Sequence, residues 1–180
     1  MKKFFRYLGL FIKHLLRCLL KPLSFVPAIC VMYMIFAFSS QSGVESAGLS
    51  YKVSAKIIVT ADETLNLNLT YAQREEYIDK IHFYVRKAAH FTEYLLLAAT
   101  VVLPLYVYGV RGIWLVLIAG AFCVGFACLD EYHQSFVSGR TPAKRDVFID
   151  SCGSFTGIFI TQIICFVGRK TIFRPLSFER

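Results

Sequence analysis

GIWLVLIAGAFCVGFACL, residues 112–129, carries no charged side chain, and DEYHQ follows at once at 130–134. About 20 apolar residues carry a helix across the hydrocarbon core of a bilayer, so this stretch reads as a transmembrane span that ends in a polar cluster. Working outward, residues 22–38, 88–108 and 147–167 are comparably apolar, the last with one charge, Asp150. The whole chain agrees. Its 180 residues are 56% hydrophobic and only 18% charged, with mean hydropathy +0.54. A soluble domain of this length cannot hide that much apolar surface. Disorder, collagen, coiled coil and a secreted disulfide scaffold fail on the same numbers. The fold class is therefore all-α: a polytopic membrane bundle of about four transmembrane helices.

The connections set the topology. A short turn around Gly109 and Arg111 makes the second and third spans an antiparallel hairpin. Pro104 lies where the second span either kinks or ends. Lys2, Lys3, Arg6, Lys13, Arg17 and Lys21 precede the first span without an acid. Arg169, Lys170, Arg174 and Arg180 follow the fourth, with Glu179. Basic flanks stay cytoplasmic, so both termini are expected inside a cell membrane crossed several times. The net charge of +8 is then an orientation signal, and nucleic acid is not an expected partner.

Three further regions surround the spans. In residues 1–21, Phe4, Leu8, Phe11, Leu15 and Leu19 recur at helical spacing beside the basic face. An amphipathic helix on the anionic cytoplasmic leaflet is expected there. Residues 168–180 form a basic cytoplasmic tail, and 22–167 the transmembrane domain. Within it, the outer segment 39–87 balances six bases with six acids. There Thr70 and Gln73 fit a capping box, and Tyr77, Ile78, Ile81, Tyr84 and Val85 share an apolar helical face. That helix could run on into the second span, but a separate surface helix on the outer leaflet is the favoured expectation. Asn68-Leu69-Thr70 is a weak glycosylation match. The six cysteines, all in the N-terminal helix or the spans, read as small apolar packing residues.

Ionisable groups in or beside spans carry the functional signal, because each costs about 3 kcal/mol at the bilayer centre. His90 and Glu93 share a face of the second span. Asp130, Glu131, His133 and Gln134 end the third, and Asp146 and Asp150 open the fourth. With alternating helix directions, all should lie within about 10 Å of the extracytoplasmic boundary. Gly153 and Gly157 continue the face of Asp146 and Asp150, a small-xxx-small pair that admits a close neighbour. Arg86, Lys87, Arg140, Lys144 and Arg145 supply cations nearby.

Four segments carry a family resemblance: Ser39-Ser40-Gln41-Ser42, Arg86-Lys87-Ala88-Ala89-His90-Phe91-Thr92-Glu93-Tyr94, Asp130 through Arg140, and Asp146 to Asp150 with Gly153 and Gly157. Together, over roughly residues 36–157, the chain resembles the VanZ-like family, named for a bacterial membrane protein linked to teicoplanin resistance. Ser138 stands where that pattern usually has Pro, and Asp150 where Asn is also common. The resemblance implies a small envelope protein that reduces susceptibility to glycopeptide or lipoglycopeptide drugs. It brings no settled reaction.

Several readings stay open on the residues alone. In one, the cations are ion-paired scaffolding for the acids. An enzyme acting on an outer-leaflet lipid would use Glu93 or Asp130 as general base, His90 or His133 as proton shuttle, and Arg140 as phosphate clamp. Glu131 and Asp146 complete the candidate catalytic set. Ser39, Gln41, Arg86, Lys87, Tyr94, Gln134, Arg140 and Asp150 form the candidate binding set. Ser135 and Ser151 are nucleophile candidates by position only. No cofactor is required, although His90, Glu93, Asp130 and His133 are a conceivable divalent-metal set. A binding or flipping protein would hold a lipid head group, a lipid-linked wall precursor or a lipoglycopeptide drug. The uncharged inner parts of the spans favour a one-sided site. Tyr106, Tyr108 and Trp114 fit an interfacial aromatic belt.

Overall fold

A computed structural model describes residues 21–170. The expected amphipathic helix of residues 1–21 falls almost entirely outside them, as does most of the basic tail. Among the described residues there are helices and turns and no strand. The helices are α1 (Val26–Ser39), α2 (Gly43–Leu65), α3 (Tyr71–Val107), α4 (Gly112–Gln134) and α5 (Lys144–Lys170). Four regions are long and apolar enough to cross a membrane: Lys21–Ser39, Tyr71–Val107, Gly112–Gln134 and Lys144–Gly168. They contain the four spans expected from sequence.

Local chemistry explains the boundaries. Pro27 lies in the first turn of α1, where its missing N–H is harmless. Ser42 caps α2 in a reciprocal capping box with Glu45, and Thr70 caps α3 in another with Gln73. Asn66 ends α2 in the left-handed conformation. Its neighbour Asp62 accepts from the Leu69 backbone N–H at 3.1 Å and pairs with Arg74 at 2.5 Å. That carboxylate fastens the α2–α3 turn. Pro104 sits in the last turn of α3, and Gly109 and Gly112, both at positive φ, turn the chain into α4.

One expectation is corrected. No separate surface helix precedes the second span, because α3 runs unbroken for 37 residues. From Tyr71 to Val107 there is no glycine and no proline except Pro104, so nothing interrupts the backbone ladder. At 1.5 Å per residue α3 is about 55 Å long, well beyond an about 30 Å hydrocarbon core. Its first half therefore projects past the end of the bundle, and α2 packs alongside it as an antiparallel hairpin.

The bundle is built on α3. Its seam with α5 is the most extensive helix contact. A Cβ at Gly153 would collide with the Phe91 carbonyl, and one at Gly157 with that of Leu95. The two collisions lie one turn apart on both helices, so the glycines let backbones touch. In lipid, where apolar side chains gain nothing by leaving solvent, such close packing is what holds helices together. Leu97, Ala98, Val102, Ala119, Cys123, Ala127 and Ile158 fill the core between α3, α4 and α5. By contrast α1 touches mainly α3 and leaves Ile29, Tyr33 and Phe36 uncovered. It is apolar around its whole circumference, as a helix surrounded by lipid should be.

Candidate functional site

The ends of α1, α4 and α5 and the middle of α3 meet at one end of the bundle, here the polar end. Its floor is a buried hydrogen-bonded set. Asp130 Oδ2 accepts from Ser39 Oγ at 2.9 Å and from Gln134 Nε2 at 3.0 Å, and Gln134 Nε2 also lies 3.1 Å from Ser39 Oγ. All three side chains are buried, and they tie α4 to the last residue of α1. Tyr94 and Asp150 lie in the same layer, within electrostatic reach of Asp130.

The α4–α5 loop closes over this floor. Arg140 Nη2 donates to Phe38 O at 3.1 Å, Nε to Gln41 O at 3.2 Å, and Nη1 to Gln134 Oε1 at 3.4 Å. The guanidinium thus serves carbonyls at the C-terminal end of α1, where helix dipoles favour a cation. Burial, then the neighbouring Arg86, holds the Arg140 guanidinium below its ordinary value. Gly43 donates its N–H to Ser138 O at 3.0 Å, and a Cβ at Gly43 would strike the carbonyl of Gly139. Gly139 has φ +72°, open to glycine at no cost. On the far side of the loop, Glu131 Oε1 accepts from the Ala143 N–H at 2.6 Å, and Lys87 pairs with Asp146 at 2.5 Å. These two contacts fix the start of α5.

Beside the floor, between the end of α1, the first half of α2 and the middle of α3, lies a cavity of about 210 Å³. Ser39, Gln41, Arg86, His90, Glu93 and Arg140 give it a polar end, while Phe38, Leu49, Val53, Val85 and Ala89 give it an apolar wall. Its polar groups are poorly partnered. Neither Arg86 nor Arg140 has a carboxylate oxygen within 4.0 Å, among the described residues. Arg86 Nε and His90 Nδ1 are buried without a hydrogen bond. His90 Nδ1 is 3.9 Å from Asp150 Oδ1, too far for one. Behind them, Asp150 Oδ1 is also buried and unbonded. Buried polar atoms usually find partners, so this concentration of unbonded ones sets the cavity apart from the floor beneath it.

The residues singled out from sequence divide accordingly. Ser39, Gln41, Arg86, His90, Glu93 and Arg140 line the cavity. Asp130, Gln134, Tyr94 and Asp150 lie beneath it. Lys87, Glu131 and Asp146 brace the loop and α5. His133 turns toward α1, where its ring stacks on Phe36 with centroids 4.4 Å apart, and does not line the cavity. Ser135 and Ser151 donate to carbonyls of their own helices at 2.6 and 2.7 Å. Among the described residues no group of three or more His, Cys, Asp or Glu could hold a metal ion, so His90, Glu93, Asp130 and His133 do not form one centre. Sequence reasoning missed the contribution of α2, namely Ser46, Leu49, Ser50 and Val53. The signals were present: Ser42-x-x-Glu45 is a capping box, and 49, 53 and 57 fall at helical spacing.

The family model described as VanZ/LLP1 matches residues 24–165. No curated protein and no solved structure matches the chain.

Proposed function

The chain belongs to the VanZ/LLP1 family, and on that footing we propose that its cavity binds the anionic head group of an envelope lipid or lipid-linked wall precursor. The observation that carries this reading is the pair of guanidiniums, Arg86 and Arg140, in one cavity without a carboxylate partner. Two cations without a direct ion pair, Glu93 being the one carboxylate that lines the cavity with them, beside an apolar wall suit a ligand that is anionic at one end and apolar at the other. Arg in particular favours phosphate through paired N–H donors. The basic residues that precede α1 support a cytoplasmic start. The polar end, at the opposite end of α1, then faces outward. From there the protein would lower susceptibility to glycopeptide drugs, the role the family name suggests, by sequestering or altering a lipid on which those drugs depend.

A second reading rests on His90 and Glu93. They stand one turn apart in the same cavity, and neither is hydrogen-bonded to another side chain. That arrangement suits a proton donor and acceptor acting on the bound lipid.

Cells expressing Arg86→Gln, Glu93→Gln and His90→Gln at normal protein levels test both readings under teicoplanin-class drugs. All three should lose protection if the cavity is the working site, and retained protection in all three overturns it. Lipid extracts compared by mass spectrometry then separate the two. A lipid species that changes with the wild type and not with Glu93→Gln supports chemistry, and unchanged lipids support binding alone.

A further inference from the structure

The cavity does not end at its apolar wall. Val53 also lines a shallow, open cleft formed by α2 alone, which continues past Lys56, Ile57, Thr60 and Ala61 to Leu65. From Leu49 to Leu65 this face is about 24 Å long at 1.5 Å per residue. Leu49, Val53 and Ile57 are exposed on it, and Leu65, about 160° round the helix from Leu49, is exposed at its far end. Exposure means something different here than on the spans. α2 is not apolar enough to cross a membrane, and it stands beside the half of α3 that projects beyond the bundle. A helix that continues an upright span stands off the bilayer, and the first turns of α3 carry Arg74, Glu75, Glu76, Asp79 and Lys80, side chains that belong in water.

Resting on the head-group reading above, we propose that this face of α2 holds the hydrocarbon chain of the same ligand. The ligand is then a long-chain amphiphile with an anionic head, its head among Arg86, Arg140 and His90 and its chain running away from the bilayer past Val53 toward Leu65. Three observations favour this occupant over a protein partner. The apolar face is continuous with a cavity whose far end is cationic. It is narrow, one helix wide, and about as long as a lipid tail. Lys56 adds a cation along the same cleft. The protein would draw a lipid partly out of the membrane, with its head group at the level of the polar end and its tail shielded by α2.

The test uses the full chain in phosphatidylcholine nanodiscs, with Ile57→Trp as reporter in a Trp114→Phe background. Trp114 is the single tryptophan and is largely exposed at the other end of α4. The probes are butyl phosphate, dodecyl phosphate and dodecyl phosphate brominated at its chain end. Dodecyl phosphate should bind at least about tenfold more tightly than butyl phosphate. The brominated probe should quench the reporter saturably, and Arg86→Gln should abolish that quenching. Ile57→Glu, at an exposed position, should reduce dodecyl affinity to the butyl level while leaving butyl binding intact. Equal affinities without quenching overturn the track and leave the head-group cavity standing. Absence of binding by either alkyl phosphate overturns the cavity as well. Quenching by brominated phosphatidylcholine alone would place the face on the bilayer and overturn the proposal, as would a dimer that shields position 57 before any probe is added.

Discussion

Two sets of polar side chains lie side by side at the polar end of the bundle, and they are built differently. In the floor, Ser39, Asp130 and Gln134 are buried and bonded to one another. In the cavity wall, Arg86, His90 and Glu93 come from one face of α3 and bond to nothing within the described structure. A buried carboxylate whose lone pairs are served by neighbours is explained by folding alone. A buried donor or acceptor without a partner costs about 1–3 kcal/mol, and folding alone does not account for it. Position in the sequence does not separate the two sets, since Glu93 and Asp130 have the same charge and lie near the same depth. Partners separate them.

The contrast can be broken or sharpened by substitution. The largest effect should come from neither set but from the seam that positions both. Gly157→Val drives a side chain into the Leu95 carbonyl and should cost about 3 kcal/mol, read as a lowered Tm in detergent. Gly125→Ala, where nothing lies within 4 Å of the new methyl, should leave Tm unchanged or raise it slightly. Next comes the floor. Asp130→Ala strands Ser39 and Gln134 and should cost about 2 kcal/mol. Asp130→Asn keeps an acceptor oxygen and should lose less than half of that. Equal losses in the two variants would mean that the negative charge, and not the hydrogen bonds, holds α4 to α1.

A smaller and local effect is expected at Asp62, away from both sets. The Leu69 backbone N–H, followed by Arg74, holds its carboxyl below the usual aspartate range. Its folded value is depressed, so its contribution is complete above the unfolded-state value and fades as pH falls through the folded one. Hydrogen exchange at Leu67 and Leu69 should therefore speed up in acid ahead of exchange in α4. Simultaneous loss in both places would show that the hairpin and bundle unfold as one unit. The smallest effect on stability belongs to the wall. Arg86→Gln and Glu93→Gln should change stability by no more than about 0.5 kcal/mol while abolishing drug protection. A Tm drop as large as that of Asp130→Ala would return both residues to scaffolding.

The spans were legible because lipid imposes one simple demand, about 20 apolar residues in a row, and residues 112–129 meet it without exception. The seam was legible too, since Gly153 and Gly157 are spaced for close approach and have no other reason to be in a helix. The hairpin was harder. α2 is mixed in character, with Lys52, Lys56, Asp62 and Glu63 among its apolar residues, so no run announces it. The unbroken α3 was within reach, because nothing before Pro104 could have stopped it. The division of the polar residues into floor and wall was not legible at all. Arg140 looks like a partner for acids in sequence, yet it serves backbone carbonyls of Phe38 and Gln41, which no side-chain pattern records.

The continuity of α3 has a mechanical consequence. Arg74, which grips α2, and Phe91 and Leu95, which seat the two glycines of α5, belong to one rod, so the angles between them are fixed. Each residue added or removed between them would swing the hairpin through about 100° about that axis, carrying the α2 wall away from Arg140. An insertion or deletion in this part of the chain would keep the α2 wall in place only in steps near a whole number of turns, about three, four or seven residues.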